Sequence, residues 1–169
     1  LWLNHHYIKE TPPEGLAPVL LPHLKAIGVE AEGDPRLPAI IKTLKERAKT
    51  LKEMADASLF YFKEKISYEE KAAKKFLTPA ISEPLKLLSE KLKKVEVFSE
   101  DDVKKAFEEV LKETGLKLGE LAQPVRVALT GGTVSPGIFE MIAALGKEMT
   151  TKRLEESLRC SLSMSKPKP

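Results

Sequence analysis

The chain of 169 residues is 42% apolar but only 6% aromatic, and Leu, Lys, Glu and Ala dominate its composition. This length suffices for one sizeable core or two small ones, and the composition favours helices over strands. With 28 basic and 25 acidic residues, the net charge of +3 excludes a strong global positive field, so any contact with nucleic acid depends on locally placed Lys and Arg.

Cysteine content and hydropathy favour a reducing compartment and exclude a membrane span. The single cysteine, Cys160, cannot form an internal disulfide. Residues 15–24 form an uncharged apolar stretch, but its ten residues are interrupted by Pro18 and Pro22 and are too few to cross a bilayer. The first residues also lack the pattern of a signal peptide. We expect a cytoplasmic protein that makes no contact with a membrane.

The chain begins with two predicted helices. Leu3 and Tyr7 share a face at a four-residue spacing, which is typical of a helix that ends near residue 10. Thr11 is a plausible N-cap for the second helix, with Pro12 at its first position and Gly28 just beyond its end.

Two further helices are predicted before residue 66. Asp34 is the expected cap of the third helix, and Thr50 is the expected cap of a short fourth one. The string LFYFKEKI, residues 59–66, predicts an extended connector, because aromatic residues cluster there and the helical period fades. The apolar positions of the two helices are Leu37, Ile40, Ile41, Leu44, Leu51 and Met54.

The remaining residues predict a second group of helices. Ser67 with Glu70, and Ser99 with Asp102, have the spacing of capping boxes and mark two helix starts. The helix expected between them is amphipathic. Its apolar face carries Leu85, Leu88, Leu92 and Val95.

The glycine-containing stretch GTVSPGIF, residues 132–139, has the glycine spacing of a phosphate-binding loop. It lacks the rest of that motif, because Ile138 and Phe139 stand where Lys and Ser or Thr would be needed. Ser135 and Pro136 are instead the expected cap and first residue of a helix. The free amides of that helix either meet a polar or anionic ligand or belong to a plain helix cap.

The three histidines predict neither a metal site nor a catalytic site. His5 and His6 are adjacent, so on a helix they point about 100° apart and cannot chelate one ion. We expect His6 to pack beside Trp2 and His5 to meet solvent or another domain. His23 has no Asp, Ser or Cys at a catalytic spacing, which favours a structural role.

A run of cations lies near the middle of the first group of helices. Such a run is usually a solvated surface, and contact with phosphate is the alternative. Its members are Lys42, Lys45, Arg47, Lys49 and Lys52.

Three strings occur in order along the chain: WLNHHYIK, ERAKTLKEMA and QPVRVALTGGTVSPGIFEMIAALGKE. Together they resemble the C-terminal anticodon-binding region of bacterial glutamyl-tRNA synthetase, over residues 1–159. The resemblance implies an all-α fold, a helical cage of two stacked helical-bundle subdomains. We place the subdomains at residues 1–66, starting inside a helix, and 67–162, followed by a disordered tail at 163–169.

The resemblance implies that this segment binds the anticodon arm of tRNA(Glu). The parent protein would be a glutamate–tRNA ligase that attaches glutamate in an ATP-dependent reaction. The segment itself is expected to hold no catalytic residue, metal or cofactor, because ATP would be bound by the N-terminal catalytic domain of the same polypeptide. A monomer is expected.

The resemblance also implies which residues contact the anticodon. Arg47 matches the position that contacts the third base, which is cytosine in glutamate anticodons. A guanidinium has only donors, so it pairs with the O2 and N3 acceptors of cytosine and opposes the N1 and N2 donors of guanine. Arg126 and Ser135 resemble contacts to the other two bases, and Thr133 and Ile138 are expected to line the same pocket.

Composition and motifs bear on two other functions. The composition equally permits a helical protein-interaction domain with no RNA role. A small hydrolase with a His-centred site is disfavoured, because no nucleophile with a nearby base can be located in the sequence.

Overall fold

The computed structural model describes residues 2–164. Within this range the chain is helical with no β-strand, so the predicted all-α class is confirmed. The chain divides into two compact units, Leu1–Glu64 and Lys65–Pro169, and this division falls two residues before the predicted join. No helix in the described range is long and apolar enough to cross a membrane.

The described part of the first unit contains α1 (Trp2–Glu10), α2 (Pro13–Ala26), α3 (Leu37–Leu44) and α4 (Leu51–Phe62). Helix α2 packs against both α3 and α4, which also pack against each other. Leu16, Leu20 and Leu24 recur every four residues along α2 and are fully buried, so one stripe of this helix forms the centre of the core. Each buried Leu contributes about 1.5–3 kcal/mol relative to an exposed one.

The two ends of α2 are formed differently from each other. The Thr11 hydroxyl donates to the carbonyl of Tyr7 at 2.7 Å, so it closes α1 and does not cap α2 as predicted. Gly28 has a φ of 82° and ends α2 as predicted. The amides of Gly28 and Val29 donate to the carbonyls of Lys25 and Leu24, each at 3.0 Å, which is the Schellman arrangement.

Helix α4 confirms one prediction and corrects another. The Thr50 hydroxyl accepts from the Glu53 amide at 3.0 Å, so Thr50 is the N-cap as expected. The aromatic string at 59–62 is not an extended connector, because it forms the last turn of α4. Tyr61 is fully buried there, and its hydroxyl lies 2.8 Å from that of Thr43 on α3. Packing against α3 therefore outweighs the weak helical period of the aromatic residues.

Asp34 is also placed differently from the prediction. Helix α3 begins at Leu37, and its N-cap position is occupied by Arg36. The Asp34 carboxylate accepts from the backbone amide of Arg36 at 2.9 Å and pairs with its guanidinium at 2.7 Å. This pairing holds the pKa of Asp34 below its usual range. Asp34 therefore organises the turn before α3 and does not cap the helix itself.

The second unit contains α5 (Glu70–Phe76), a 3₁₀ helix (Pro79–Ile81), α6 (Ser82–Lys94), α7 (Glu100–Thr114), α8 (Leu118–Thr130), α9 (Ile138–Leu145) and α10 (Lys147–Met164). Helix α10 packs along α6 and α8, and α7 packs against α6 and α9. The Ser99 hydroxyl accepts from the Asp102 amide at 3.2 Å and caps α7 as predicted. Fully buried residues of this core include Leu85, Leu88, Leu92, Val103, Phe107, Val110, Leu121, Val125, Met141, Ile142 and Leu154.

Two predicted features at the ends of the second unit are corrected. Helix α5 begins at Glu70 without a side-chain cap, so Ser67 and Glu70 do not form a capping box. Helix α10 continues through Ser163 and Met164, where the sequence predicts a disordered tail. Residues 165–169, the rest of that predicted tail, lie outside the described range.

Candidate functional site

Residues 131–137 connect α8 to α9, and we call them the 131–137 loop. Its first residue, Gly131, has a φ of 84°, and a Cβ built there would lie only 2.1 Å from the carbonyl oxygen of Ser67. The Gly131 carbonyl also accepts from the Glu69 amide at 2.8 Å. Only glycine allows both this conformation and this close approach. The start of the loop is therefore fixed against residues 67–69.

Thr130, the last residue of α8, fixes the next turn of the chain. Its hydroxyl lies 2.8 Å from the carbonyl of Arg126, to which it donates. The same oxygen lies 3.2 Å from both the amide and the carbonyl of Gly132. One side chain thus ties the last turn of α8 to the second residue of the loop.

Arg126 and Ser135 are brought together by this turn. The Arg126 Nε–H donates to the Ser135 hydroxyl at 2.7 Å, and that hydroxyl donates to the Pro136 carbonyl at 2.7 Å. Both side chains are half-buried. The bond uses only one of the five N–H groups of the guanidinium and sets the direction in which the group faces. Helix α8 therefore presents Arg126 at the loop in a defined orientation.

The other predicted site residues of the second unit differ in exposure. Thr133 is exposed. Ile138 is only 8% exposed and packs as the first residue of α9. Val134 was not singled out from the sequence, yet it is 84% exposed. An apolar residue within a stretch of Gly, Thr, Ser and Pro, which is typical of a surface loop, is the sequence signal that would have identified it.

The start of α9 corrects the prediction that Ser135 and Pro136 begin this helix. Helix α9 starts at Ile138, with Gly137 at the N-cap position. The Glu140 carboxylate accepts from the Gly137 amide at 3.0 Å. A carboxylate of the protein therefore already occupies the end of α9, which disfavours an added anion there. Ser135 instead serves the loop through its bond with Arg126.

Arg47 belongs to the first unit and lies in the turn between α3 and α4. The amides of Arg47 and Ala48 both donate to the Leu44 carbonyl at 3.0 Å, which closes the turn. The Arg47 side chain is exposed. His5 Nδ1 lies 3.2 Å from the Ala48 carbonyl, so helix α1 supports the same turn.

The structure differs from the prediction at one of the paired histidines. His5 is half-buried against the turn that carries Arg47 and does not face open solvent, because this turn lies against α1. His6 is exposed, and its predicted partner, the Trp2 side chain, lies outside the described side chains. Residues 2–164 contain no group of three or more His, Cys, Asp or Glu that could hold a metal ion.

The run of five cations is divided by the structure. Lys45 is half-buried, and its ammonium donates to the Thr11 carbonyl at 2.9 Å, so it has a structural contact within the first unit. The other four side chains are exposed, which leaves them placed for contact with solvent or with phosphate. They are Lys42, Arg47, Lys49 and Lys52.

Comparison with known proteins gives a consistent result. A family model described as an anticodon binding domain matches residues 15–158. A glutamate–tRNA ligase of Geotalea uraniireducens is 51% identical over 158 residues, which is 94% of this chain and 34% of that protein. A glutamate–tRNA ligase of Geobacter sulfurreducens is 50% identical over the same shares of the two chains. The chain thus spans about a third of the length of these relatives.

A solved structure supports the same comparison. The crystal structure of a glutamate tRNA ligase from Elizabethkingia meningosepticum, in complex with its amino acid, matches with a TM-score of 0.84 and 26% identity. The match covers 94% of this chain and 31% of that chain. These findings give no support to a helical protein-interaction domain, the alternative that composition alone permits.

Proposed function

The chain belongs to the anticodon-binding domain family and corresponds to the C-terminal region of glutamate–tRNA ligases; from this premise we propose that it binds the anticodon arm of tRNA(Glu). The longer protein would attach glutamate to that tRNA. Its N-terminal catalytic domain would bind ATP and carry out the chemistry. We place the protein in the cytoplasm as a monomer.

The observation that carries this proposal is the bond between Arg126 and Ser135 beside the 131–137 loop. Sequence-specific RNA recognition targets unstacked loop bases, whose edges are bound by donors and acceptors held at fixed positions. A guanidinium oriented by a neighbouring hydroxyl supplies such donors. Exposed Thr133 and Val134 add a hydroxyl and an apolar surface on the same loop. Arg126 and Ser135 would contact two of the three anticodon bases.

Arg47 would contact the third anticodon base. Its support is its exposed position in a turn that is closed by backbone bonds and backed by His5. The donors of its guanidinium match the acceptors of cytosine and repel the donors of guanine. Glutamate anticodons end in cytosine and glutamine anticodons in guanine, so this residue would separate the two tRNAs.

The proposal is tested by measuring the Kd of the chain for tRNA(Glu), and for the same tRNA with the first two anticodon bases replaced. For Arg126→Gln we expect a loss of about 1–3 kcal/mol toward the natural tRNA, the scale of a specific base contact. The variant should lose much less toward the altered tRNA, which already lacks that contact.

Arg159→Gln is the matched control, because Arg159 is an exposed arginine on α10 of the same unit. It removes the same charge away from the loop. Equal losses of Arg126→Gln toward both tRNAs would show that Arg126 contacts only phosphate. Failure of the unmodified chain to distinguish the two tRNAs would contradict anticodon recognition by this segment.

A further inference from the structure

A separate concave surface lies in the first unit, where α1, α2 and the start of α4 meet. It encloses a cavity of about 190 Å³. We call it the α1–α4 pocket. Its lining residues are Asn4, Tyr7, Ile8, His23, Thr50, Leu51 and Lys52.

The base of the α1–α4 pocket is part of the core. Ile8 is 1% exposed, and Leu51 is half-buried. The Thr50 hydroxyl is already committed to the Glu53 amide as the cap of α4. The base of the pocket is therefore formed by residues that the fold itself holds in place.

Four polar side chains remain around this base: Asn4, Tyr7, His23 and Lys52. Within the described residues, none of these four side chains forms a hydrogen bond or ion pair with another residue. His23 is half-buried, although the fold gives it no polar partner in this range. Its placement thus differs from that of His5, which is supported by the Ala48 carbonyl.

The chemistry of these groups favours an anion, because each of them can donate a hydrogen bond and the one formal charge among them, on Lys52, is positive. An ammonium, an imidazole N–H, an amide NH₂ and a phenol O–H are all available as donors, and no carboxylate lines the pocket. Glu46 and Glu53, which lie on either side of Thr50, have partners outside the pocket. Glu53 accepts from the Lys49 amide at 2.9 Å, and Glu46 pairs with Lys9 at 3.5 Å. A compact anion with several acceptor oxygens matches this donor set.

We infer that the α1–α4 pocket binds a phosphate group through Lys52, His23, Tyr7 and Asn4. Phosphate offers several acceptor oxygens to the four donors and a negative charge to Lys52, and the cavity is large enough to admit it together with water. The source of the phosphate rests on the proposed function. In a tRNA-binding domain it would be a backbone phosphate, which positions the RNA without reporting its sequence.

The first arm of the test uses inorganic phosphate alone and does not depend on tRNA binding. Inorganic phosphate is added to the 169-residue chain at constant pH and ionic strength, with chloride as the replaced ion, and NMR resonances are followed. We expect saturable shifts at the rings of His23 and Tyr7. Lys52→Gln should weaken that saturation, and His23→Gln should weaken it as well. Lys25→Gln, an exposed lysine on α2 outside this pocket, should not.

The second arm uses tRNA and identifies the source. If the phosphate belongs to the RNA backbone, Lys52→Gln lowers affinity to a similar degree for tRNA(Glu) and for its anticodon-altered form. The slope of log affinity against log salt should also fall by roughly 0.7–0.9, the value for one phosphate contact. Phosphate-dependent shifts with unchanged tRNA affinity would support the pocket as a site for free phosphate.

Two results would overturn the inference. One is the absence of saturable shifts at His23 and Tyr7 in the unmodified chain. The other is saturation that Lys52→Gln and Lys25→Gln change equally. If the chain binds no tRNA, the proposed function fails, while the first arm still decides whether the pocket holds phosphate.

Discussion

Glycine at position 131 sets the path of the candidate anticodon-binding loop. Its φ of 84° lies in the left-handed region, and the Ser67 carbonyl occupies the space where a Cβ would stand. Two other glycines allow the effect of the left-handed backbone to be separated from the effect of the close approach. Gly115 ends α7 with a φ of 73° and has nothing within 4 Å of a built Cβ, whereas Gly119 lies in α8 in open space. Gly119 therefore shows neither effect, Gly115 shows the backbone effect alone, and Gly131 shows both.

Substitution of each glycine by alanine tests this interpretation. Gly119→Ala should stabilise the chain by up to about 1 kcal/mol, because alanine favours helix. Gly115→Ala should cost about 1 kcal/mol from its backbone conformation alone. Gly131→Ala should cost more than about 2 kcal/mol, since it adds a collision with backbone to the same conformation. Urea unfolding measures all three, and equal losses at Gly115 and Gly131 would contradict the close approach.

At the residue scale, local signals in the sequence predicted some caps and not others. Thr50 and Ser99 were correctly predicted because each bonds an amide three residues ahead. Ser67 was wrongly predicted as a cap, since α5 begins only at Glu70 and Glu69 occupies the N-cap position. The backbone amide of Glu69 donates to the distant carbonyl of Gly131. A pattern of local residues cannot show such a partner. The bond between Arg126 and Ser135 could not be predicted either, because the turn at Thr130 and Gly131 brings the two side chains together.

At the element scale, the end of α8 is held by α10. Arg153 on α10 is fully buried, and its Nη1 donates to the Leu129 carbonyl at 2.8 Å. Leu129 belongs to the last turn of α8, whose carbonyls lack partners within the helix. A positive group is also favourable at a helix C-terminus. Arg153 therefore stabilises the turn that leads directly into the 131–137 loop.

Arg153→Met should destabilise the chain by about 1–3 kcal/mol, because it keeps most of the apolar volume but removes the donor to the Leu129 carbonyl. Arg153→Lys, which keeps a charge, should recover part of that loss. Lys152→Met changes an exposed neighbour on the same helix and should stay within about 0.5 kcal/mol of the unmodified chain. Thermal unfolding of the three variants measures these effects. Similar losses for Arg153→Met and Lys152→Met would show that the buried contact contributes nothing.

The buried face of a helix could be predicted where the periodicity of apolar residues is strong. The apolar face of α6 is an example, and its leucines are buried as the pattern indicated. The last turn of α4 was missed because its aromatic residues pack against α3, which no period within the string reveals. The α1–α4 pocket was missed for a similar reason. It exists only where three helices meet, so His23 alone gave no signal.

At the scale of the whole molecule, composition predicted a chain that favours helices over strands, and the resemblance of three strings predicted the all-α class and the family. The chain spans about a third of the length of the glutamate–tRNA ligases with which it was compared. Arg47 and the 131–137 loop lie in different compact units. Neither composition nor periodicity assigns a base contact to them. That assignment came from the resemblance and stays a prediction.

The stability of the chain at alkaline pH depends on the phenol group of Tyr68. Burial raises the pKa of Tyr68 to about 12, and the negative charges of Cys160 and Glu156 at high pH act in the same direction. Because the folded chain holds this proton more tightly than the unfolded chain, its contribution is complete below pH 10 and is lost as pH rises from about 10 to 12. Solvent screening reduces that contribution to about 1–2 kcal/mol.

Tyr68→Phe removes the titrating group and should flatten this part of the profile. The free energy of unfolding is measured for both chains at pH 8 and at pH 11.5. The unmodified chain should lose more stability between the two values than Tyr68→Phe does. Equal losses would show that Tyr68 titrates alike in the folded and unfolded chains.

The most direct test of anticodon recognition is a double-mutant cycle on Arg47 and the third anticodon base. The Kd is measured for the unmodified chain and for Arg47→Gln, each with tRNA(Glu) carrying cytosine or guanine at that base. We predict that guanine costs the unmodified chain about 1–3 kcal/mol and costs Arg47→Gln much less. Equal affinity of the unmodified chain for both tRNAs, or an equal penalty in both chains, would contradict recognition of the third base by Arg47.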